Sequence, residues 1–360
     1  MPDSNRSDTD EILLERHGGL AVVILNRPKA LNALTLGMYR RLDPQLVAWA
    51  TDPAIHAVLI RGAGERAFCA GGDVRAVYEA GRGKSDGLTA DFFREEYCLI
   101  ERVYRFPKPY IALLSGITMG GGAGVSIHGS HRVVTERFLF AMPETAIGLF
   151  PDIGATTFLN RCPGRIGRYL GLTGARIKAA DALYCGLATH YVPEARLAAL
   201  TNGLATLSWR DGEECGQVDG LLAQFAAPVG PAPLADLRSA IDRCFAADTI
   251  EEIVAALEAE ADDWAWEALA NLAKASPTSL KITLRQLQIG ARFDVAEALQ
   301  LEYRMTQHIM QRHDFFEGVR AMLVDKDQAP KWQPASLAAV NDAEVDFYFR
   351  PIGERELTFS

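Results

Sequence analysis

Three short segments hold the residue types that could do chemistry. The first, FCAGGD at 68–73, follows the apolar run AVLIR at 57–61. Small residues in a row let a ligand lie against the backbone and use its N–H groups as donors. The second, MGGGAG at 119–124, again follows an apolar run and opens a helical pattern. N–H groups at a helix start, with the positive end of the helix dipole behind them, favour developing negative charge. Alone, each glycine run reads as a tight strand-to-helix turn. Together they supply two separate N–H donors, which is what an oxyanion hole requires.

The third segment is FAMPETAIGLFPD at 140–152, where Glu144 and Asp152 stand among Phe140, Met142, Ile147, Leu149 and Phe150. A carboxylate with apolar neighbours is desolvated, its pKa rises, and acid/base or nucleophilic work comes within reach. The bland alternatives are a helix N-cap for Asp152 and a salt-bridged surface turn for Glu144. Other chemistries find less support. No Gly-Lys-Ser/Thr follows the second glycine run, and no acidic residue is placed to complete a dinucleotide fingerprint. His128 and His131 lack a third ligand at a metal-like interval, and no GxSxG occurs. Six cysteines are scattered without a CxxC pair, which reads as free thiols in a reducing compartment.

These three segments in this order, with NRPKALNAL at 26–34, FFREEY at 92–97, SPTSLKITLRQL at 276–287, HDFFEGVRA at 313–321 and DKDQAPKW at 325–332, resemble the crotonase (enoyl-CoA hydratase/isomerase) superfamily. Within it the likeness is to the branch that hydrolyses 3-hydroxyisobutyryl-CoA in valine catabolism, and it runs over roughly residues 12–335. The resemblance implies an α/β fold: a crotonase-like spiral of strand–strand–helix repeats with a helical C-terminal region. It puts the oxyanion donors on the N–H groups of Ala70 and Gly121, a substrate contact on Glu96, and the catalytic carboxylates on Glu144 and Asp152. Glu144 would be nucleophile or general base, and Asp152 would contact the substrate hydroxyl. Hydratases of this type carry a second glutamate three residues beyond the middle glycine, where this chain has Gly124. That departure disfavours the alternative of an enoyl-CoA hydratase or isomerase. The implied partner is an acyl-CoA, with no separate cofactor, since CoA is part of the substrate. Lys29 is a candidate for the CoA phosphates.

The elements that must position these residues follow from periodicity and punctuation. Short strands are expected at 12–15 and 20–26 as a hairpin, then at 57–61, 110–114, 117–119, 131–134 and 138–141. A helix over 36–50 would be capped by Thr35. Helices are expected over 250–275, 277–289 and 295–312, the first capped by Asp248 or Thr249. The expected organisation is a disordered lead at 1–10, a catalytic core over 11–225, a helical region over 234–335 and a tail at 336–360. The chain has 360 residues, 49% hydrophobic and 23% charged, which excludes a mostly disordered protein. Its net charge of −9 argues against a general nucleic-acid or membrane-surface binder. Without a signal-like leader or a long apolar run, a cytoplasmic protein is expected; a homo-oligomer is left open.

Overall fold

The computed structural model describes residues 10–82 and 88–359; most of the expected lead at 1–10 lies outside them. In chain order the strands and first helices are β1 (Ile12–His17), β2 (Leu20–Leu25), α1 (Leu36–Thr51), β3 (Ala57–Gly62), β4 (Ala67–Cys69), α2 (Val74–Arg82), α3 (Leu88–Tyr104), β5 (Tyr110–Leu114), β6 (Ile117–Met119), α4 (Gly121–Ile127), β7 (His131–Val134) and β8 (Leu139–Ala141). Helices α5 (Ala155–Asn160), α6 (Ile166–Thr173) and α7 (Ala179–Tyr184) lead to the short β9 (His190–Tyr191), then α8 (Leu197–Ala205) and α9 (Glu214–Phe225). The rest is helical: α10 (Pro233–Cys244), α11 (Ile250–Glu260), α12 (Asp263–Leu272), α13 (Pro277–Ile289), α14 (Val295–Ile309), α15 (His313–Val319) and α16 (Asp342–Phe347).

The chain forms two compact units, neither continuous in sequence. One comprises the chain up to Gly72, Arg102–Leu139 and Ala188–Gly230; the other comprises Asp73–Glu101, Phe140–Leu187 and the chain from Pro231 onward. The last passage, at Gly230–Pro231, falls between the expected core over 11–225 and the expected helical region over 234–335. The division otherwise differs from the expected 11–225 core, because α2, most of α3 and the 140–187 segment belong with the C-terminal helices.

In the first unit a sheet runs in the order β1-β2-β3-β5-β7-β9. β1 and β2 form the expected antiparallel hairpin, and every later pairing is parallel. Parallel strands are covered on both faces, which is why LAVVIL in β2 and YIALL in β5 are apolar throughout and wholly buried. Leu20, Val22, Leu59 and Ile111 pack with Leu200 and Leu204 of α8 and Val218 and Leu222 of α9. After this hairpin, the second strand of each strand pair leaves the sheet. β4 and β6 pair in a smaller one, which β8 enters at Leu139, its N–H on the Gly116 carbonyl at 3.1 Å. Strand, strand, helix then repeats, as the sequence leads one to expect.

The second unit is mainly helical. Thr35 (in the first unit), Thr249 and Ser276 cap their helices, and Asp294 with Glu297 forms a capping box on α14. The expected helix over 250–275 is broken: Ala261 takes a left-handed φ of 51°, and the Asp262 side chain accepts the Asp263 N–H to start α12. The tail is tied to α14, with Gln300 on the Leu357 carbonyl and Arg304 on Glu356 at 2.9 Å.

Candidate active site

The donors belong to the first unit. Asn32, buried and at φ 57°, donates to the Ala63 and Ala67 carbonyls at 2.9 Å and accepts the Arg27 N–H at 3.0 Å. These bonds fold the NRPKALNAL turn so that the Leu31 carbonyl meets the Ala70 N–H at 3.0 Å. The expected role of Ala70 is thereby corrected: its amide already has a backbone acceptor. The Gly71 N–H turns onto its neighbour Cys69 Sγ at 3.5 Å, with φ 120°. The Gly72 N–H, next along, carries no such bond among the described residues. It sits on the short parallel bridge between Leu34 and Gly72 and is only half-buried.

The second donor is where it was expected. Gly121 is the first residue of α4, so its N–H has no partner within the helix. The two glycine loops lie side by side: a Cβ built on Gly71 would stand 3.7 Å from the Gly121 nitrogen. A Cβ on Gly122 would collide with the Cys69 carbonyl, so only glycine lets α4 approach β4 this closely. Gly124 is buried in the same helix.

The candidate acids belong to the second unit, where Glu96, Glu144 and Asp152 are buried, as is Glu302. Glu144 opens the 3-10 turn Glu144–Ile147. That turn is held by the Ser276 N–H on the Thr145 carbonyl and by Thr145 Oγ1 on the Leu172 carbonyl. Glu144 Oε2 is buried without a hydrogen-bond partner among the described residues. It is not the salt-bridged surface turn of the bland reading. Burial first, then the charges of Asp152 and Glu96, push the Glu144 carboxyl well above the ordinary range.

Asp152 does not cap α5 with its side chain; Gly154 holds the cap position. Its Oδ2 instead accepts the Tyr97 hydroxyl at 2.7 Å. Burial raises the Asp152 carboxyl to about 6, and the Tyr97 hydrogen bond restrains that rise. Below Asp152 the backbone turns through Ile153 at φ 59° and Gly154 at φ 82°. A β-branched residue in the left-handed region is strained. Glu302 holds the turn. Its carboxylate accepts the Gly154 N–H at 2.6 Å, the Thr156 N–H at 2.9 Å and the Thr156 hydroxyl at 2.7 Å. Burial pushes Glu302 up to about 8 against the pull of those donors.

The structure therefore gathers Glu96, Glu144 and Asp152 in one unit and places Gly121 with Gly72 in the other. Sequence reasoning missed Gly72, Tyr97 and Glu302. Lys29 stands exposed on the turn Pro28–Ala30. His131 bonds Ser130 Oγ at 2.8 Å and Asp219 at 3.2 Å, a structural setting.

Comparison with known proteins identifies the family and fold. The model of the enoyl-CoA hydratase/isomerase family matches residues 20–349. The chain belongs to that family. It is similar to the mitochondrial 3-hydroxyisobutyryl-CoA hydrolase of Rattus norvegicus, 47% identical over 361 residues, 99% of this chain and 93% of that protein. A carnitinyl-CoA dehydratase from Mycobacterium thermoresistibile, known from its crystal structure, is 41% identical. It superposes with a TM-score of 0.90, covering 98% of this chain and 99% of its own. An enoyl-CoA hydratase from Rhodobacter sphaeroides, also 41% identical, gives 0.88 over 97% of this chain and all of that one. The crotonase-type α/β fold is thus established. The names of the solved structures and of the rat enzyme differ in reaction, so the side chains must arbitrate.

Proposed function

We propose that this protein is an acyl-CoA thioester hydrolase whose substrate is 3-hydroxyisobutyryl-CoA. The observation that carries the reading is the distribution of acids. Glu144 and Asp152 are buried together and act on each other's charge, while position 124 of α4 is glycine. Hydration of a double bond is served by two carboxylates holding one water, one of them at the position of Gly124. Here the second carboxylate is Asp152 instead. The hydrolase name of the rat relative agrees.

Burial raises both carboxyls, Glu144 well above the ordinary range and Asp152 to about 6, so each holds a proton more readily than a free acid. The reaction draws on the less populated form in which Glu144 is ionised and Asp152 protonated. Gly72 and Gly121 N–H groups receive the thioester oxygen as negative charge grows on it, each donor being worth about 2.7–4 kcal/mol. Glu144 attacks the carbonyl carbon, the C–S bond breaks, and Asp152 gives its proton to the departing sulfur. Water then cleaves the mixed anhydride, Asp152 takes one proton from that water, and Glu144 is freed as carboxylate. The balance is acyl-CoA and water to acid and CoA thiol. Glu144 acting as general base on water gives the same balance. Glu96 borders the acyl group, Asp152 also meets the substrate hydroxyl, and exposed Lys29 meets the CoA phosphates.

Within the described residues no helix is long and apolar enough to cross a membrane. The rat relative is named mitochondrial, which leaves the expected cytoplasmic location without support from it. The test is a panel of acyl-CoAs, following free thiol and enoyl absorbance separately. Thiol release should be fastest from 3-hydroxyisobutyryl-CoA. Hydration of crotonyl-CoA outpacing that hydrolysis would overturn the reading.

A further inference from the structure

We infer that Tyr97 is the positioning residue for Asp152, its hydroxyl fixing the orientation and proton affinity of that carboxylate. The inference rests on the hydrolase reading for its kinetic consequences, but not for its geometry. The Tyr97 hydroxyl lies 2.7 Å from Asp152 Oδ2, with Tyr97 fully buried and Asp152 5% exposed. A hydrogen bond onto an ionised acceptor away from water is among the stronger kinds.

The hydroxyl is placed by packing. The Tyr97 ring meets Phe93 edge-on at 6.1 Å and Tyr303 of α14 edge-on at 6.4 Å. The Arg94 guanidinium lies 4.8 Å over the Tyr303 ring from the same helix as Tyr97. Aromatic contacts of this geometry leave the phenol oxygen little freedom. From the other side, Glu302 pins the strained turn that follows Asp152. Backbone and side chain of Asp152 thus have separate supports.

The groups around this pair are acids on every packed element. Glu96 lies beside Tyr97 on α3, Glu144 opens the 3-10 turn, and Glu302 comes from α14. Burial, then Asp152, Glu302 and Glu96, hold the Tyr97 phenol well above its ordinary range, so it stays a donor wherever the enzyme works. Against these neighbours the Tyr97 hydroxyl stabilises the ionised form of Asp152. In the proposed cycle Asp152 must give up a proton and later take one, so its affinity has to stay near the working pH.

Tyr97→Phe removes the oxygen and keeps the ring. Asp152 would be followed by carboxyl-carbon NMR on protein labelled at aspartate, its signal assigned by its loss in Asp152→Asn. Losing a donor to the charged form should raise the Asp152 midpoint by about one pH unit and shift the limb of kcat/KM that Asp152 sets the same way. Hydrolysis should fall about tenfold. Tyr97→Phe should cost nothing further in the Asp152→Asn background, because the effect passes through Asp152. An unchanged midpoint in a folded variant would overturn the proposal. Should Tyr97→Phe fail to fold, 3,5-difluorotyrosine at position 97 keeps the hydroxyl and sharpens it as a donor. The midpoint must then fall, and a static midpoint refutes the role. The titration reads Tyr97 even if the parent does not hydrolyse the thioester, so the two readings fail separately.

Discussion

The two units contribute opposite kinds of electrostatics. The first offers the N–H groups of Gly72 and Gly121, fixed dipoles set by backbone that no accessible pH alters. The second holds the buried acids Glu96, Glu144, Asp152 and Glu302 among others, and burial pushes the carboxyls of Glu144, Asp152 and Glu302 upward. In the proposed reaction, charge stabilisation and proton handling fall to different parts of the chain. Damage to the donors should scale the rate equally at every pH, whereas damage to the acids should bend the pH profile as well.

The largest effect is expected from Glu144→Gln. The amide keeps the shape but is neither nucleophile nor base, so kcat should fall by about a thousandfold or more while acyl-CoA still binds. Near-normal turnover would remove Glu144 from the centre of the reaction. Asp152→Asn should follow, losing on the order of a hundredfold and flattening the limb of the pH profile that Asp152 sets near pH 6.

Gly122→Ala probes the other unit. Its Cβ would collide with the Cys69 carbonyl and shift the start of α4, where Gly121 presents its N–H. Hydrolysis should drop about a hundredfold, the scale of one oxyanion donor, with the pH profile unchanged in shape. A displaced limb in this variant would break the division between the units.

Glu302→Gln tests the support rather than the chemistry. Two backbone N–H groups and a hydroxyl converge on this carboxylate, and an amide would have to turn one of its own N–H groups toward them. The Ile153–Gly154 turn then loses what holds it, and activity should fall about tenfold with a lower Tm. A full-rate, fully stable variant would show that the turn holds itself.

What the sequence makes legible is uneven for physical reasons. Alternation, apolar runs and capping residues mark the strands of the first unit and the starts of α1, α11 and α13, since those signals are local. Which amide of FCAGGD is free is not local. It depends on the Leu31 carbonyl, held in place by Asn32, and this is why Ala70 is mistaken for Gly72. Glu302 does leave a trace. It occupies the apolar stripe of α14 formed by Val295, Leu299, Met305 and Ile309, where an acid must have partners. Tyr97 leaves none, because an aromatic at a buried helix position reads as packing.

The smallest effect is one of stability, and its sign runs against that of activity. Burial raises Asp152 to about 6 in the folded protein, from an ordinary 3.8. Between those values the folded state binds more protons than the unfolded one, so stability is lost as pH rises through the window. Above pH 6 the ionised carboxylate costs on the order of 2–3 kcal/mol, which Tyr97 does not fully offset. Asp152→Asn keeps an oxygen to accept the Tyr97 hydroxyl and removes the charge. Its Tm should therefore exceed the parent's by a few degrees at pH 8 and match it near pH 4. Melting both proteins across that range decides the matter. If the variant is the less stable one at pH 8, Asp152 is held by its surroundings as a structural anion, and the strain assigned to it here belongs elsewhere in the acid cluster.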